Sequence, residues 1–302
     1  MFRTVRVAVV QAAPVVLDAE ASVDKACELV AAAAADGAEL VVLPECFVSI
    51  YPTRLWAAGV FQQGDAGREL WRRIWEQSVE VDGPLVARLV AACAEHAVHL
   101  VVGVNEREAD RPGGSLYNTL LVLGPGGVLH RHRKLMPTFH ERLFHGQGDG
   151  TDLGVVETPV GRLGGLICWE NRMPLARYAV YRGGPQIWVA PTADDGDGWG
   201  ALVRAIAIEA GAFAASCCQY LERDAYPADF PFPLPERDVL HEGGSLIVGP
   251  TGDVLAGPLR GGEGIVVADC DLAATADVKQ WFDVAGHYSR EDVLLPLLAQ
   301  PR

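Results

Sequence analysis

The chain has 302 residues, half of them hydrophobic and 21% charged, a balance typical of a globular protein with a substantial core. Its formal net charge of −14 argues against a nucleic-acid-binding surface, which requires clustered Lys and Arg. The apolar runs are shorter than the roughly 20 residues of a membrane helix, and Arg6 interrupts the first one, unlike a secretory signal. The seven cysteines lack paired spacing, so we expect reduced thiols and a cytoplasmic protein.

The apolar residues predict an alternation of short strands and amphipathic helices. In the first helix, Val23, Cys27 and Val30 recur at i, i+4 and i+7, which places them on one face. In chain order the predicted elements are a strand at Arg6–Gln11, a helix at about Ser22–Asp36, a strand at Leu40–Leu43, helices around Arg68–Val79 and Pro84–His96, strands at His99–Val104, Leu116–Leu123, Val128–Arg133, Val155–Thr158 and Leu163–Ile167, a helix from near Pro174, a strand at Ile187–Ala190, a helix from near Trp199, and strands at Phe213–Cys218, Ser245–Val248 and Gly264–Cys270.

These strands are too apolar to face solvent on one side, so helices should cover the sheets of an α/β fold. The GPGG sequence at 124–127 predicts a hairpin, which argues against a purely parallel sheet. The segment Leu221–Pro235 is rich in Pro and Asp and is predicted to be a loop or insertion. No low-complexity linker or close repeat divides the chain, which predicts a single domain over residues 1–302 with a short C-terminal tail from about residue 286.

Three reactive side chains stand where predicted strands end. Cys168 ends the strand in GGLICWENRMPL, at a position where neighbouring cations and backbone N–H groups can ionise a thiol. Glu45 follows the strand in LVVLPECF, where partial desolvation would make the carboxylate a better base. Lys134 closes the strand in LHRHRK and can stabilise developing negative charge, and Glu141 lies seven residues further on. Taken singly, Cys168 would more often be a buried core residue, Lys134 a surface residue and Glu141 a loop charge, and Glu45 could equally be a solvated loop carboxylate.

Other site chemistries have weaker support. GxSxG is absent, as are CxxC, HExxH and GxxxxGK[ST], so neither a serine nucleophile, a metal site nor a phosphate loop is predicted. A Cys–His hydrolase stays open, with His140, His145 or His287 as the base, because the spacing selects none of them.

Taken together, the motifs resemble the nitrilase branch of the carbon–nitrogen hydrolase superfamily. LPECFVSIYP is similar to its catalytic-Glu segment, HRKLMPTFHERLFHGQGDG to its catalytic-Lys segment, and GRLGGLICWENRMPLARYAVY to its catalytic-Cys segment. The resemblance runs from about Val5 to about Leu294, and CWEN and PTAD favour nitrilases over amidases and carbamoylases.

The resemblance implies a four-layer α-β-β-α sandwich and an enzyme acting on carbon–nitrogen bonds other than peptide bonds. It implies Cys168 as nucleophile, Glu45 as general base, Lys134 as charge stabiliser and Glu141 as a supporting carboxylate. An organic nitrile would become a carboxylic acid and ammonia through a Cys-bound thioimidate and thioester, without metal or organic cofactor. The side chains proposed as pocket walls, each of which could instead be core, are Phe47, Tyr51, Trp169 and Thr192.

The resemblance also implies self-association, through the helices corresponding to about Pro174–Arg182 and Trp199–Gly211. Because the chain ends a few residues after GHYSREDVLLPL, a homodimer or small oligomer is expected rather than a long spiral. Three alternatives stay open: cyanide hydratase or amidase chemistry on the same residues, a non-catalytic scaffold, and a thiol redox sensor at Cys168.

Overall fold

The apolar runs of the sequence form two mixed β-sheets in a computed structural model, which describes residues 2–60, 64–111 and 114–300. The first sheet has the strand order β13–β1–β2–β3–β4–β5, and the second has the order β10–β11–β9–β8–β7–β6, with β12 paired to β11. The strands are β1 (Thr4–Gln11), β2 (Leu40–Val42), β3 (His99–Arg107), β4 (Leu116–Gly124), β5 (Gly127–Arg133), β6 (Val155–Thr158), β7 (Gly161–Gly165), β8 (Ile187–Thr192), β9 (Phe213–Cys218), β10 (Tyr220–Glu222), β11 (Val239–Val248), β12 (Val254–Arg260) and β13 (Gly264–Asp271).

Each sheet has a parallel centre flanked by antiparallel strands. β1, β2 and β3 run parallel in the first sheet, as do β7, β8 and β9 in the second. The predicted hairpin joins β4 to β5 and makes that edge of the first sheet antiparallel. Because the carboxyl ends of parallel neighbours meet at one edge, this topology gathers the loops after β2, β7 and β8.

The described residues form eight α-helices. They are α1 (Ala19–Ala35), α2 (Ala57–Val60), α3 (Asp65–Glu76), α4 (Pro84–His96), α5 (Pro174–Tyr181), α6 (Asp197–Ala210), α7 (Ala273–Lys279) and α8 (Glu291–Leu298). Short 3₁₀ helices lie at Phe139–Leu143, Cys168–Arg172 and Arg223–Ala225. Within the described ranges, none of the helices is both long and apolar enough to span a membrane.

Three hydrophobic layers hold the sandwich together. Residues of α1 and α4 pack on the first sheet, and residues of α5 and α6 pack on the second. Between the sheets lies a third layer in which Val7, Val9 and Leu40 share a core with Ile187 and Val189. This arrangement confirms the predicted α-β-β-α sandwich, with the central strands of each sheet buried on both faces.

Most predicted elements are present, but some boundaries were wrong. Helix α1 begins three residues early because Asp18 caps it, accepting a hydrogen bond from the Ala21 N–H at 3.0 Å. Strand β7 ends at Gly165, so Cys168 lies in the 3₁₀ helix that follows and not at the strand end. The Pro- and Asp-rich segment contains the end of β10 and a 3₁₀ turn. The helices and strands that the sequence did not predict are α2, β10, β12, α7 and α8.

Candidate active site

Glu45 lies in the loop after β2, pressed against the neighbouring strand β3. The Gly103 N–H donates to the Pro44 carbonyl at 3.1 Å. A Cβ on Gly103 would lie 2.6 Å from the Glu45 Cα and 2.6 Å from the Cys46 N, so only glycine allows this approach. The Glu45 side chain is fully buried.

Lys134 directly follows β5, and its backbone N–H donates to the Asn118 carbonyl of β4 at 2.9 Å. Its Nζ donates to Glu45 Oε1 at 2.7 Å and to Glu141 Oε2 at 2.7 Å, and all three side chains are fully buried. Glu141 is held by its own 3₁₀ helix, in which the Thr138 N–H donates to Glu141 Oε2 at 2.9 Å. One ammonium group is therefore shared by two buried carboxylates.

The two carboxylates differ in their affinity for a proton. Burial raises the pKa of Glu45, and the attraction of Lys134 offsets this only in part. Burial also acts on Glu141, but Lys134 and His145 hold its pKa well below the usual value. Burial alone would lower the pKa of Lys134, yet Glu141 and Glu45 raise it well above normal. Glu45 is therefore the carboxylate suited to exchanging protons, while Glu141 stays ionised beside an ammonium cation.

Asn118 is a site residue that the sequence analysis missed. Its Nδ2 donates to Glu45 Oε1 and to Glu141 Oε1, both at 2.8 Å. The available signal was one polar side chain inside the otherwise apolar strand LYNTLLVLG. Because Asn118 binds both carboxylates, it fixes their orientation around Lys134.

The three histidines considered as bases lie in different places. His145 contacts Glu141 Oε1 at 3.2 Å and Asn105 Oδ1 at 2.7 Å, so it supports Glu141. His140 lines the cavity described below. His287 is exposed, and its Nε2 lies 3.5 Å from the Trp281 carbonyl. None of these contacts assigns a histidine to the Cys168 thiol.

Cys168 begins a 3₁₀ helix with a backbone φ of 48°, in the left-handed region that non-glycine residues rarely adopt. Its Sγ accepts a hydrogen bond from Thr192 Oγ1 at 3.0 Å, at the end of β8. The next N–H, that of Ala193, donates to Glu45 Oε2 at 2.9 Å and also favours the Cys168 thiolate. The thiol and the Glu45 carboxylate therefore share a neighbour.

Burial raises the pKa of the Cys168 thiol, and the negative charge of Glu45 raises it further, while Lys134, Thr192 and Ala193 act in the opposite direction. We therefore expect a neutral thiol at rest, contrary to the ionised thiol that its position in the sequence suggested. A neutral thiol needs a base to become a nucleophile, and the adjacent Glu45 is available for that role.

A cavity of about 560 Å³ reaches Cys168 from the surface. Tyr51 and Trp169 line it, as the sequence analysis proposed, and Phe139 packs edge-on against Trp169 with ring centroids 6.0 Å apart. Thr192 is buried behind the thiol that it contacts. Phe47 does not line the cavity. It lies in the core between the first sheet and its helices, as the sequence analysis had allowed for this side chain.

Comparisons with known proteins point to one family. A model of the family described as "Carbon-nitrogen hydrolase" matches residues 6–280. Nitrilase 1 of Arabidopsis thaliana is 44% identical over 96% of this chain and 86% of its own length. A bifunctional nitrilase/nitrile hydratase of Lupinus angustifolius is also 44% identical, over 96% of this chain and 85% of its own length.

A solved structure supports the fold independently. The crystal structure of Nit3 from Saccharomyces cerevisiae, a member of the nitrilase superfamily, aligns with a TM-score of 0.75 over 95% of this chain and 97% of that one. The sequence identity is 22%, so this likeness concerns the fold alone.

Proposed function

Because the chain belongs to the carbon–nitrogen hydrolase family, and within it to the nitrilases, we propose that Cys168, Lys134 and Glu45 carry out its hydrolysis of an organic nitrile to a carboxylic acid and ammonia. The observation that carries this assignment is the buried cluster in which Lys134 Nζ lies 2.7 Å from Glu45 and the Ala193 N–H favours both Glu45 and Cys168. Glu141 and Asn118 orient this cluster, and no cofactor takes part.

In the first step, Glu45 accepts the Cys168 proton as Sγ attacks the nitrile carbon. The C–S bond forms, one π bond of the nitrile breaks, and its electron pair moves to the nitrogen. Glu45 then delivers the proton to that nitrogen, giving a neutral thioimidate. Lys134 stabilises the developing negative charge in a site without solvent, where such an interaction is strong.

Two water molecules complete the reaction. Glu45 takes a proton from the first water as its oxygen adds to the thioimidate carbon, and the nitrogen receives that proton. The tetrahedral intermediate then loses ammonia as the hydroxyl proton passes to the amino group, which leaves a thioester. The second water, deprotonated by Glu45, adds to the thioester carbon, the C–S bond breaks to release the acid, and Glu45 returns its proton to Cys168 Sγ.

The second candidate is cyanide hydratase or amidase chemistry on the same residues; the hydratase reaction forms an amide, whereas the amidase reaction starts from one. The bifunctional name of the Lupinus relative favours keeping it. If the tetrahedral intermediate breaks its C–S bond instead of its C–N bond, the thiol is regenerated and the amide leaves after one water. The two products therefore diverge at one intermediate.

The test is to incubate the protein with aliphatic, aromatic and arylacetic nitriles and to quantify acid, ammonia and amide. We expect acid and ammonia in equal amounts from the wild type, and no turnover from Cys168→Ala. Cys270→Ala is the matched control, because Cys270 is also fully buried but lies in the core between the sheets. Full activity of Cys168→Ala, or amide as the main product, would contradict the proposal.

We also propose that the protein self-associates and that it lies in the cytoplasm. Leu175 of α5 and Ile208 of α6 are more than half exposed, as are Leu294, Leu297 and Leu298 of α8. A second copy of the chain would cover these apolar side chains, so we propose a homodimer or larger oligomer. The seven free thiols support a cytoplasmic location.

A further inference from the structure

Glu170 lies two residues after Cys168 and takes no part in the proposed reaction steps. Its carboxylate is fully buried and binds two backbone N–H groups. Oε2 accepts from Ile167 at 2.9 Å, and Oε1 accepts from Leu135 at 2.6 Å. Ile167 precedes Cys168 and Leu135 follows Lys134, so one carboxylate binds both catalytic segments.

His132 joins this carboxylate to a second one. Its Nε2 lies 3.0 Å from Glu170 Oε2, and its Nδ1 lies 2.8 Å from Asp152 Oδ1. The other oxygen of Asp152 accepts the Arg133 N–H at 2.8 Å. The backbone N–H groups on both sides of Lys134 are therefore bound by carboxylates that a single imidazole connects.

This arrangement favours a charged imidazole. Ionised carboxylates can only accept hydrogen bonds, so both ring nitrogens of His132 must donate. Burial would lower the pKa of His132, but the hydrogen bonds to Asp152 and Glu170 raise it to about 9. His130 also interacts electrostatically with His132 and Asp152, and burial lowers its pKa below the usual value, which favours the neutral form of its ring.

We propose that Glu170 is a positioning residue that fixes Cys168 and Lys134 relative to each other, and that His132 and Asp152 hold Glu170 in place. The proposal rests on the proposed roles of Cys168 and Lys134. Glu170 touches the backbone beside both residues, while the reacting atoms lie beyond it. A displacement of about 1 Å between reacting groups is enough to slow a reaction on the order of 10²-fold.

The first test is Glu170→Gln, which keeps the size of the side chain but replaces one accepting oxygen with a donor. One of the two backbone N–H groups, or His132, then faces a donor and loses its partner. We expect kcat to fall on the order of 10²-fold with KM little changed, because the cavity wall is untouched. Alkylation of Cys168 by iodoacetamide should also shift to higher pH, because Lys134 is no longer held beside the thiol.

The matched control is Glu106→Gln. Glu106 is equally buried, but its partners are the side chains of Thr119, Arg131 and Arg133, and it binds neither catalytic segment through the backbone. We expect this variant to lose thermal stability while keeping kcat and the alkylation profile. If both variants lose kcat equally at a temperature where both are folded, Glu170 has only a structural role and the proposal is wrong.

Asp152→Asn tests the outer end of the network, where the side chain is 21% exposed and a folded variant is expected. His132 has a raised pKa, so the network is complete below about pH 9 and is lost as the pH rises through that value. Removing the Asp152 charge should move this alkaline loss of kcat to lower pH. An unchanged profile would overturn the proposal. The wild type, measured in parallel, distinguishes failure of the proposed function from failure of the positioning role of Glu170. If the wild type does not turn over nitriles, the proposed function is wrong. The pH profiles of Cys168 alkylation still test in that case whether Glu170 positions Cys168 and Lys134.

Discussion

At the scale of single residues, the site depends on how the positive charge of Lys134 interacts with two buried carboxylates. Lys134 lies between a carboxylate with a raised pKa and another with a lowered pKa, so the same cation serves two purposes. It keeps Glu141 ionised, and it limits the rise in the pKa of Glu45. Changing the charge of either Lys134 or Glu45 should therefore be measurable at Cys168, which both of them influence.

The first prediction compares Lys134→Met with Glu45→Gln. The pKa of the Cys168 thiol is raised by Glu45 and lowered by Lys134. Alkylation of Cys168 should therefore require higher pH in Lys134→Met, and should occur at the same or lower pH in Glu45→Gln. Turnover should fall by roughly 10²–10⁴-fold in Glu45→Gln, the usual range for loss of a general base. In Lys134→Met the lost charge stabilisation should cost about 3–4 kcal/mol.

The pH dependence of iodoacetamide labelling, with the labelled cysteine identified by mass spectrometry, checks this prediction. If labelling of Cys168 is indifferent to both substitutions, the charges do not act on the thiol and the triad assignment fails. Full inactivation with label on Cys46 or Cys217 alone would also count against Cys168 as nucleophile.

Sequence alone identified the residues that follow strands but not the ones inside them. Glu45 follows an apolar run, where a charged side chain is conspicuous, whereas Lys134 closes a strand that already contains His and Arg, and the motifs gave both residues their roles. Asn118 is a polar residue within a strand, and its importance depends on loops from β2 and β5 lying over β4. Glu170 binds backbone N–H groups from two distant segments, a relationship that no local pattern contains.

At the scale of elements, the position of Glu45 is set by the close contact between its loop and β3. The second prediction is that Gly103→Ala destabilises the protein by about 1–3 kcal/mol, the usual cost of overpacking, and sharply lowers nitrile turnover. The new Cβ would lie 2.6 Å from the Pro44 carbonyl, the Glu45 Cα and the Cys46 N, all of them backbone atoms that cannot move independently.

Gly126→Ala is the matched control, because a Cβ there meets nothing within 4 Å. Thermal unfolding and kcat should both stay close to wild type in that variant. Should Gly103→Ala keep full turnover, the loop would have room to adjust, and the tight packing of Glu45 would not be needed for catalysis.

Element boundaries were less predictable than element types. The apolar pattern located α1, but its first turn depends on the Asp18 cap, which lies outside the periodic residues. Strand β12 was missed because it is mostly exposed and contains Gly257 and Pro258, which weaken a strand signal. Helix α8 was missed because its apolar side chains face outward, so they do not form the one-sided pattern of a helix packed on its own core.

At the scale of the whole molecule, the α/β class was predictable because strands buried on both faces must be covered by other elements, and the four-layer sandwich was implied by the family resemblance. What sequence could not supply was the strand order, since β13 pairs with β1 from the opposite end of the chain. It also could not say how the two sheets face each other, which depends on matching apolar surfaces contributed by distant segments.

The third prediction concerns self-association. Light scattering of the wild type at micromolar concentration should report at least twice the monomer mass. Leu175→Glu and Ile208→Glu should shift the protein towards the monomer, because each places a charge on the apolar surface that a second copy would cover. Leu129→Glu, on the β4–β5 hairpin, is the control and should leave the mass unchanged. A monomeric wild type would contradict the proposal.

The site takes its parts from both sheets. Glu45 and Lys134 follow strands of the first sheet, whereas Cys168 lies in the 3₁₀ helix after β7 and Thr192 ends β8, both in the second. The active site is therefore complete only while the two sheets keep their relative position. In an expanded acid state the strands and helices are intact but the packing between them is loosened. Such a state would keep its far-ultraviolet circular dichroism and lose its catalytic activity. Enzymatic rate is thus a sensitive gauge of how firmly the two sheets are joined.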